Sequence, residues 1–441
     1  MTAKKVPSLK TLEKACKTID FKTKDQNILV TSPYIESVIA STVISQTLSR
    51  MNVLFHITPS PPVMTIDDLN GLNEKYNSSA LILVGIDVYG KKRLKKGSGY
   101  PILIGGTVES EQVEAFQLGS DSTIPAAGYT LSKSLLEPTD YMLQMSAAGS
   151  LLSEGLKTPK TGAGKDLIGL AQSKNLIEER KGFKLFGATS LPLDEALRYN
   201  TRPYIPAISG HQEACDKILN DADIPIQKLK APVSNLNTPE AQRLTSVLTM
   251  KIDSKIIQLL LGTDYILSLE RENSPIRYIS GLDTIGATAW SLNELGALFG
   301  ILLGDRGREL RGLIDSHINY HEEVISTVQR LESNLQGDST TTTTTVSLKG
   351  AKTETLPDVG RIALDTGIVD KTRPVALDND EAYSIVWPSP DLSVKVVLHE
   401  FLSGDIKLRA SSHNSITLIG NDEVKATALE KIVQLNKDGG P

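Results

Sequence analysis

Residues 28–37 read Ile28-Leu29-Val30-Thr31-Ser32-Pro33-Tyr34-Ile35-Glu36-Ser37. The apolar start shows no alternation. From Ile35 to Met51 the apolar residues Ile35, Val38, Ile39, Val43, Ile44 and Leu48 fall near helical spacing, and Val53-Leu54-Phe55-His56-Ile57 follows. The pattern predicts strand, helix, strand. Further along, Ile66 to Tyr76 fits a helix, while Ala80 to Asp87 and Pro101 to Ile104 are apolar runs bounded by glycines and polar residues. Apolar runs of this kind suit strands covered on both faces, as in a parallel sheet with crossover helices on each side. The expected fold class is α/β: a parallel-sheet domain with a helical extension, plus a smaller α+β domain at the C-terminus.

Beyond Ile124 the character is helical. Candidate helices cover Ala126–Leu136, Tyr141–Leu152, Lys165–Lys174, Glu213–Leu219, Pro239–Leu261, Leu292–Leu303 and Arg308–Leu335. Six threonines, Thr340 to Thr345, form a polar low-complexity run that cannot bury a core, so a domain boundary is expected there. After it, Ser393 to Leu398 and Ile406 to Ala410 read as strands and Asp422 to Leu435 as a closing amphipathic helix. The expected organisation is an α/β domain over 1–190, a helical region over 191–335, a threonine-rich linker over 336–346 and an α+β domain over 347–441.

Composition bounds the function. With 441 residues, the chain is long enough for two or three domains. Hydrophobic residues at 40% and charged residues at 22% are ordinary for a globular protein. A formal charge of −5 excludes a surface that traps polyanions everywhere, so nucleic-acid contact needs a local basic patch. Cys16 and Cys215 match no metal or redox spacing and are expected as free thiols in a reducing cytoplasm. No run is long and apolar enough to span a membrane.

Several motifs fail. Thr161-Gly162-Ala163-Gly164-Lys165-Asp166 looks like a phosphate-binding loop, but Pro159 replaces a needed glycine and Asp166 the magnesium-binding hydroxyl. His317 and His321 lie four apart without a general base between them, and are expected as solvated or capping histidines.

The order of the pieces is what informs. The 28–37 turn, Gly85-Ile86-Asp87, Gly105-Gly106-Thr107 and the Gly119–Tyr129 segment opening a helix are followed by Leu185-Phe186-Gly187, then Leu191-Pro192-Leu193 and Ala196-Leu197-Arg198-Tyr199. Arg202 to Gly210, Leu292-Asn293-Glu294-Leu295-Gly296 and Leu303-Gly304-Asp305-Arg306 continue the series. This layout resembles the DHH phosphoesterases, specifically the archaeal RecJ-like branch that includes the GINS-associated nuclease. The resemblance implies a two-metal phosphodiesterase ancestry, in which paired cations, usually manganese, activate water and neutralise the developing charge.

The matching ligand positions are largely empty. The family's His-x-Asp-x-Asp falls on Ser32, Tyr34 and Glu36, the second motif's aspartate on Asp87, and the Asp-His-His on Gly105, Gly106 and Thr107. The last aspartate belongs near Ala148 to Leu152, where no ligand stands. Glu36 and Asp87 alone supply two oxygen donors and no nitrogen, too few for a dinuclear site. No metal and no other cofactor is therefore expected.

The family's glycine-rich loop in the C-terminal domain matches Arg409-Ala410-Ser411-Ser412-His413-Asn414, where side chains crowd a phosphate. The expected nucleic-acid contacts are Lys91, Lys92, Arg93, Lys95 and Lys96 on one loop, with Arg202, Arg409 and His413. The resemblance implies a catalytically silent scaffold that docks GINS and MCM in an archaeal replicative helicase, with single-stranded DNA as a further ligand. In that family the eukaryotic member has likewise lost most metal ligands. Two rivals stand beside it: a nuclease with an unorthodox site of Glu36, Asp87, Glu109 and Asp121, and a single-strand-binding repair module.

Overall fold

The computed structural model describes residues 7–17, 26–76, 80–90, 92, 101–109, 116–119, 122–335, 345–388, 392–402 and 406–437. The chain forms two compact units. One comprises Met1–Glu179, Tyr265–Glu270 and Leu295–Arg311; the other comprises Arg180–Asp264, Arg271–Glu294 and Gly312–Pro441.

In the first unit the order is α1 (Leu9–Cys16), β1 (Gln26–Thr31), α2 (Ile35–Arg50), β2 (Leu54–Pro59), β3 (Val63–Thr65), α3 (Ile66–Lys75), β4 (Ala80–Val84), β5 (Asp87–Tyr89), β6 (Ile102–Ile104), β7 (Val108–Glu109), β8 (Phe116–Leu118), α4 (Ile124–Leu135), α5 (Asp140–Ser153) and α6 (Ala163–Ser173). The main sheet is wholly parallel, in the order β2-β1-β4-β6-β8. Its inner strands are the unalternating apolar runs. Ile28, Val30, Leu81, Leu83 and Leu103 pack with Met64, Ile66 and Leu69 into one core. Helix α2 is buried on nearly every face, against α4 and α5, which explains why its apolar positions are so numerous. The edge strand β2 is more open than its sequence suggests, with Leu54 exposed.

Asp87 does not end a strand of the main sheet. It begins β5, the middle strand of a separate parallel sheet, β3-β5-β7, since Gly85 turns the chain with a positive φ. The loop resembling a phosphate-binding motif leads into α6, where Asp166 accepts the N–H of Leu9 at the start of α1 at 3.0 Å.

Further along lie β9 (Ile177–Phe183), α7 (Leu193–Arg198), α8 (Gln212–Asp221), α9 (Ile226–Leu229), α10 (Thr238–Lys251), α11 (Ser254–Leu260), β10 (Leu261–Leu267), α12 (Ile279–Ser291), α13 (Leu295–Leu302) and α14 (Arg308–Leu335). Strands β9 and β10 form a two-stranded sheet that the helical reading of this region missed. The helix expected over Pro239–Leu261 is broken in two, because Asp253 caps a new helix through the Lys255 N–H.

The C-terminal elements are β11 (Thr345–Ser347), α15 (Leu356–Thr366), β12 (Val375–Asp378), β13 (Tyr383–Val386), α16 (Val394–Phe401), β14 (Leu408–Ser412), β15 (Ser415–Leu418) and α17 (Asp422–Lys437). Of the threonine run only Thr345 is described, and it opens β11. The sheet order is β11-β12-β13-β15-β14, with one parallel pair and three antiparallel pairs. Tyr320, Val324, Val328 and Leu331 of α14 join α15 and this sheet in a single core. The expected strand at 393–398 is the helix α16. Ser393 caps it, and its buried residues Val394, Val397, Leu398 and Phe401 stand at helical spacing.

Candidate functional site

In the parallel sheet the chain order reverses between β1 and β4, which places a crevice at the carboxyl ends of these strands, where α/β proteins bind ligands. The family's ligand positions gather there. Ser32 follows β1, Tyr34 caps α2 and Glu36 sits in its first turn, Asp87 opens β5, and Gly105 to Thr107 follow β6.

The matching positions are buried: Ser32, Tyr34, Glu36 and Asp87 are shielded from solvent. The ladder continues past the strand ends: Ser32 N–H donates to Val84 O at 3.0 Å, Gly85 N–H to Ile104 O at 2.9 Å and Gly105 N–H to Leu118 O at 2.8 Å. The Ser32 hydroxyl donates to Ser37 Oγ at 2.8 Å. A Cβ on Gly106 would stand 2.0 Å from the Ile86 carbonyl oxygen, far inside van der Waals contact, so no imidazole fits where the family carries one. Gly105, at φ +65°, holds a conformation that side chains disfavour.

The surviving carboxylates are engaged or enclosed. Asp87 Oδ1 accepts the Thr107 N–H at 2.9 Å and the Thr107 hydroxyl at 3.1 Å. Glu36 is buried, its Oε2 has no hydrogen-bond partner, and loss of solvent raises its pKa. Burial, reinforced by the carboxylates of Glu36 and Asp87, pushes the Tyr34 phenol upward too. Ala148 and Leu151 are buried within α5. Among the described residues no group of three or more His, Cys, Asp or Glu is placed to hold a metal ion. The Glu109 side chain and Asp121 lie outside them. The residues present do not fit a two-metal centre.

The expected basic contacts are scattered. Lys92 pairs with Asp67 at 2.8 Å on the surface of the first unit; Lys91, Arg93, Lys95 and Lys96 lie outside the described residues. Arg202, in the second unit, is committed to Asp358 at 2.7 Å. Arg409 on β14 lines a cavity of about 280 Å³ with Trp290, Asn293 and Glu354. His413, in the β14–β15 turn, meets Trp290 edge-on at 5.9 Å between ring centroids. The hairpin thus brings Arg409 and His413 together.

A buried polar cluster in the second unit escaped the reading of the chain. Asp358 accepts from Arg202, from Arg361 at 3.0 Å and from the Tyr320 hydroxyl at 2.9 Å, while Arg361 also donates to Thr201 O at 2.9 Å. The two arginines hold the Asp358 carboxyl far below its usual range against the opposing effect of burial. His317 and His321 are buried beside it and are not solvated. Their rings lie 3.7 Å apart, and Phe186 covers His317 at 4.2 Å. His317 Nδ1 meets the Thr288 hydroxyl at 2.7 Å; His321 meets Tyr199 O at 3.0 Å. Burial pushes the His321 imidazole down to about 4 and holds His317 well below its ordinary value. Both are neutral at pH 7. Tyr320, between the two histidines on α14, was the available signal: three groups able to hydrogen bond within five residues of an amphipathic helix.

Against solved structures, the chain is similar to CDC45 from Entamoeba histolytica, at 12% identity and a TM-score of 0.61, with 96% of this chain and 97% of that chain covered. The fold is that of CDC45. Coverage of both chains is almost complete, so the likeness to CDC45 takes in the parallel-sheet domain and the C-terminal mixed sheet alike. RecJ from Thermus thermophilus in complex with Mn²⁺ aligns at 11% identity and a TM-score of 0.45, over 97% of this chain and 55% of that one. An exonuclease RecJ bound to manganese aligns at 10% identity and 0.44, over 98% and 95%. No family model and no curated protein matches the chain.

Proposed function

We propose that this chain is a non-catalytic scaffold of an archaeal, cytoplasmic replicative helicase assembly, docking GINS and MCM and taking single-stranded DNA as a passing ligand. The observation that carries the reading is the emptied crevice: a CDC45-like fold in which Ser32, Tyr34, Glu36 and Asp87 are buried, Gly106 has no room for a side chain, and no metal-holding group stands among the described residues, where a two-metal nuclease needs an open, ligand-rich cleft. The partners come from fold-level analogy and from the order of sequence pieces, not from a docking surface. Glu36 and Asp87 remain as vestiges in this reading. Lys92, Arg409 and His413 are the proposed points of contact with DNA, through phosphate and without base stacking.

Co-purification tests it. The full chain at physiological salt is expected to hold GINS, and MCM with it, in a stable complex. Tight binding of oligothymidylate with no retention of GINS would move the assignment to a single-strand-binding module. Sustained manganese-dependent digestion of labelled single strands, abolished by Glu36→Ala together with Asp87→Ala, would establish a nuclease instead.

A further inference from the structure

A cavity of about 240 Å³ in the second unit lies between α7, the chain just before it and α14. It is smaller than the roughly 300–1,000 Å³ of sites for drug-sized ligands, and its size suits a single side chain. From α14, His317 and His321 stand a turn apart and buried, while Ile318 and Glu322, also a turn apart, are exposed and mark the mouth. Phe186 and Leu191 supply apolar wall.

Three buried atoms of the lining residues lack hydrogen-bond partners: Asn200 Oδ1, His317 Nε2 and Arg198 Nε. The first two are acceptors, on residues each 2% exposed. Asn200 donates through Nδ2 to Pro203 O at 2.6 Å, which leaves its carbonyl oxygen empty. His317 Nδ1 meets the Thr288 hydroxyl, whose single proton goes to Thr284 O at 3.1 Å, so Nδ1 carries the imidazole proton and Nε2 a lone pair. With Nδ1 held by Thr288, the Nε2 edge is what His317 has left to offer the cavity. The third atom, Arg198 Nε, belongs to a guanidinium laid over the Tyr199 ring at 4.3 Å. Charge points the same way as the empty acceptors. Glu195 and Glu322 both line the cavity without an ion pair among the described residues, and Lys230, the cation near Glu195, is taken by Asp194 at 2.7 Å. Burial keeps both histidines neutral at pH 7, so they do not repel a cation. A buried acceptor left empty is costly, and a ligand rich in donors removes that cost.

We propose that this cavity takes the guanidinium of an arginine side chain presented by a partner protein, which donates to His317 Nε2 and Asn200 Oδ1 inside and pairs with Glu195 and Glu322 towards the mouth. A guanidinium carries five N–H donors in a planar fork, enough to serve several acceptors at once, whereas an ammonium offers three from a point. Its methylene stem lies well against apolar surface such as that of Phe186, Leu191 and Ile318. Nucleic acid is the poorer occupant, because its phosphates would meet two carboxylates and a single arginine. This inference does not rest on the scaffold reading.

Isothermal titration calorimetry on the full chain tests it, with acetylarginine amide as the probe and its lysine, citrulline and glutamate counterparts as controls. The arginine probe is expected to bind saturably, the lysine probe more weakly, and the uncharged citrulline and acidic glutamate probes not at all. Glu322→Lys should weaken the arginine probe by about tenfold or more, and His317→Phe likewise. Glu322 is exposed, so Glu322→Lys decides the matter even if His317→Phe impairs folding. A glycine-serine peptide with one central arginine is expected to bind at least as well as the amide. Tighter binding of free arginine than of that peptide would make this a metabolite site and overturn the proposal. Absence of binding, equal binding of citrulline, preference for the glutamate probe, or indifference to Glu322→Lys overturns it too.

Discussion

At Glu36 the cost of an emptied crevice is concentrated in one side chain. Its carboxyl is enclosed beside Tyr34, and burial outweighs the help it receives from the backbone at the start of α2. A carboxyl whose folded pKa is raised contributes its full stability below the unfolded value, near 4.5, and loses it as pH rises through the folded value. Glu36→Gln is therefore expected to raise the urea midpoint at pH 7. The gain should shrink towards zero as the pH falls below 4.5. A lower midpoint at pH 7 would mean that a cation compensates Glu36 in the folded protein. The identity of Ser32, Tyr34 and the glycines at 105 and 106 was readable from their order along the chain. That Gly106 lies against Ile86 was not, because the approach of two backbones has no local signature.

Helices α14 and α15 show what single elements hold. Asp358 in the first turn of α15 neutralises Arg202 and Arg361 and takes the Tyr320 hydroxyl from α14. Removing its charge leaves two guanidinium groups facing each other in a largely buried site. Asp358→Asn is expected to cost about 3–5 kcal/mol in equilibrium urea unfolding. Arg202→Met combined with Asp358→Leu should cost clearly less, since fewer uncompensated charges stay behind. If the single and double variants lose the same stability, the cluster acts by packing and not by charge. The span of α14, Arg308–Leu335, was legible to the residue because its apolar stripe repeats every three to four positions for the whole length. At α16 the same reasoning failed: Val394, Val396 and Val397 look like a strand when inspected as a run. Burial on one helical face and a serine cap outweighed the β-branched preference, which is weak by comparison with tertiary packing.

On the scale of the whole molecule, metal linkage gives a direct reading of what the fold retains. An ion that binds the folded chain raises its stability by mass action, so a two-metal protein melts higher in manganese. This chain is expected to keep the same melting temperature from zero to millimolar Mn²⁺ in a thermal denaturation series. A concentration-dependent rise abolished by Glu36→Gln and Asp87→Asn would restore the metal centre.

The parallel sheet, the closing mixed domain and the vacancy of the ligand positions all follow from features carried within short windows: unalternating apolar runs, a 3.6-residue stripe, and side chains that either bear a donor or do not. Other properties belong to the fold as a whole. Asp87 is drawn into a second sheet, His317 and His321 are buried together behind Phe186, and β9 pairs with β10 across some eighty residues of chain. Each depends on residues tens to hundreds of positions apart coming within a few ångströms. Burial and pairing are set by that convergence, and no local pattern of residues encodes it.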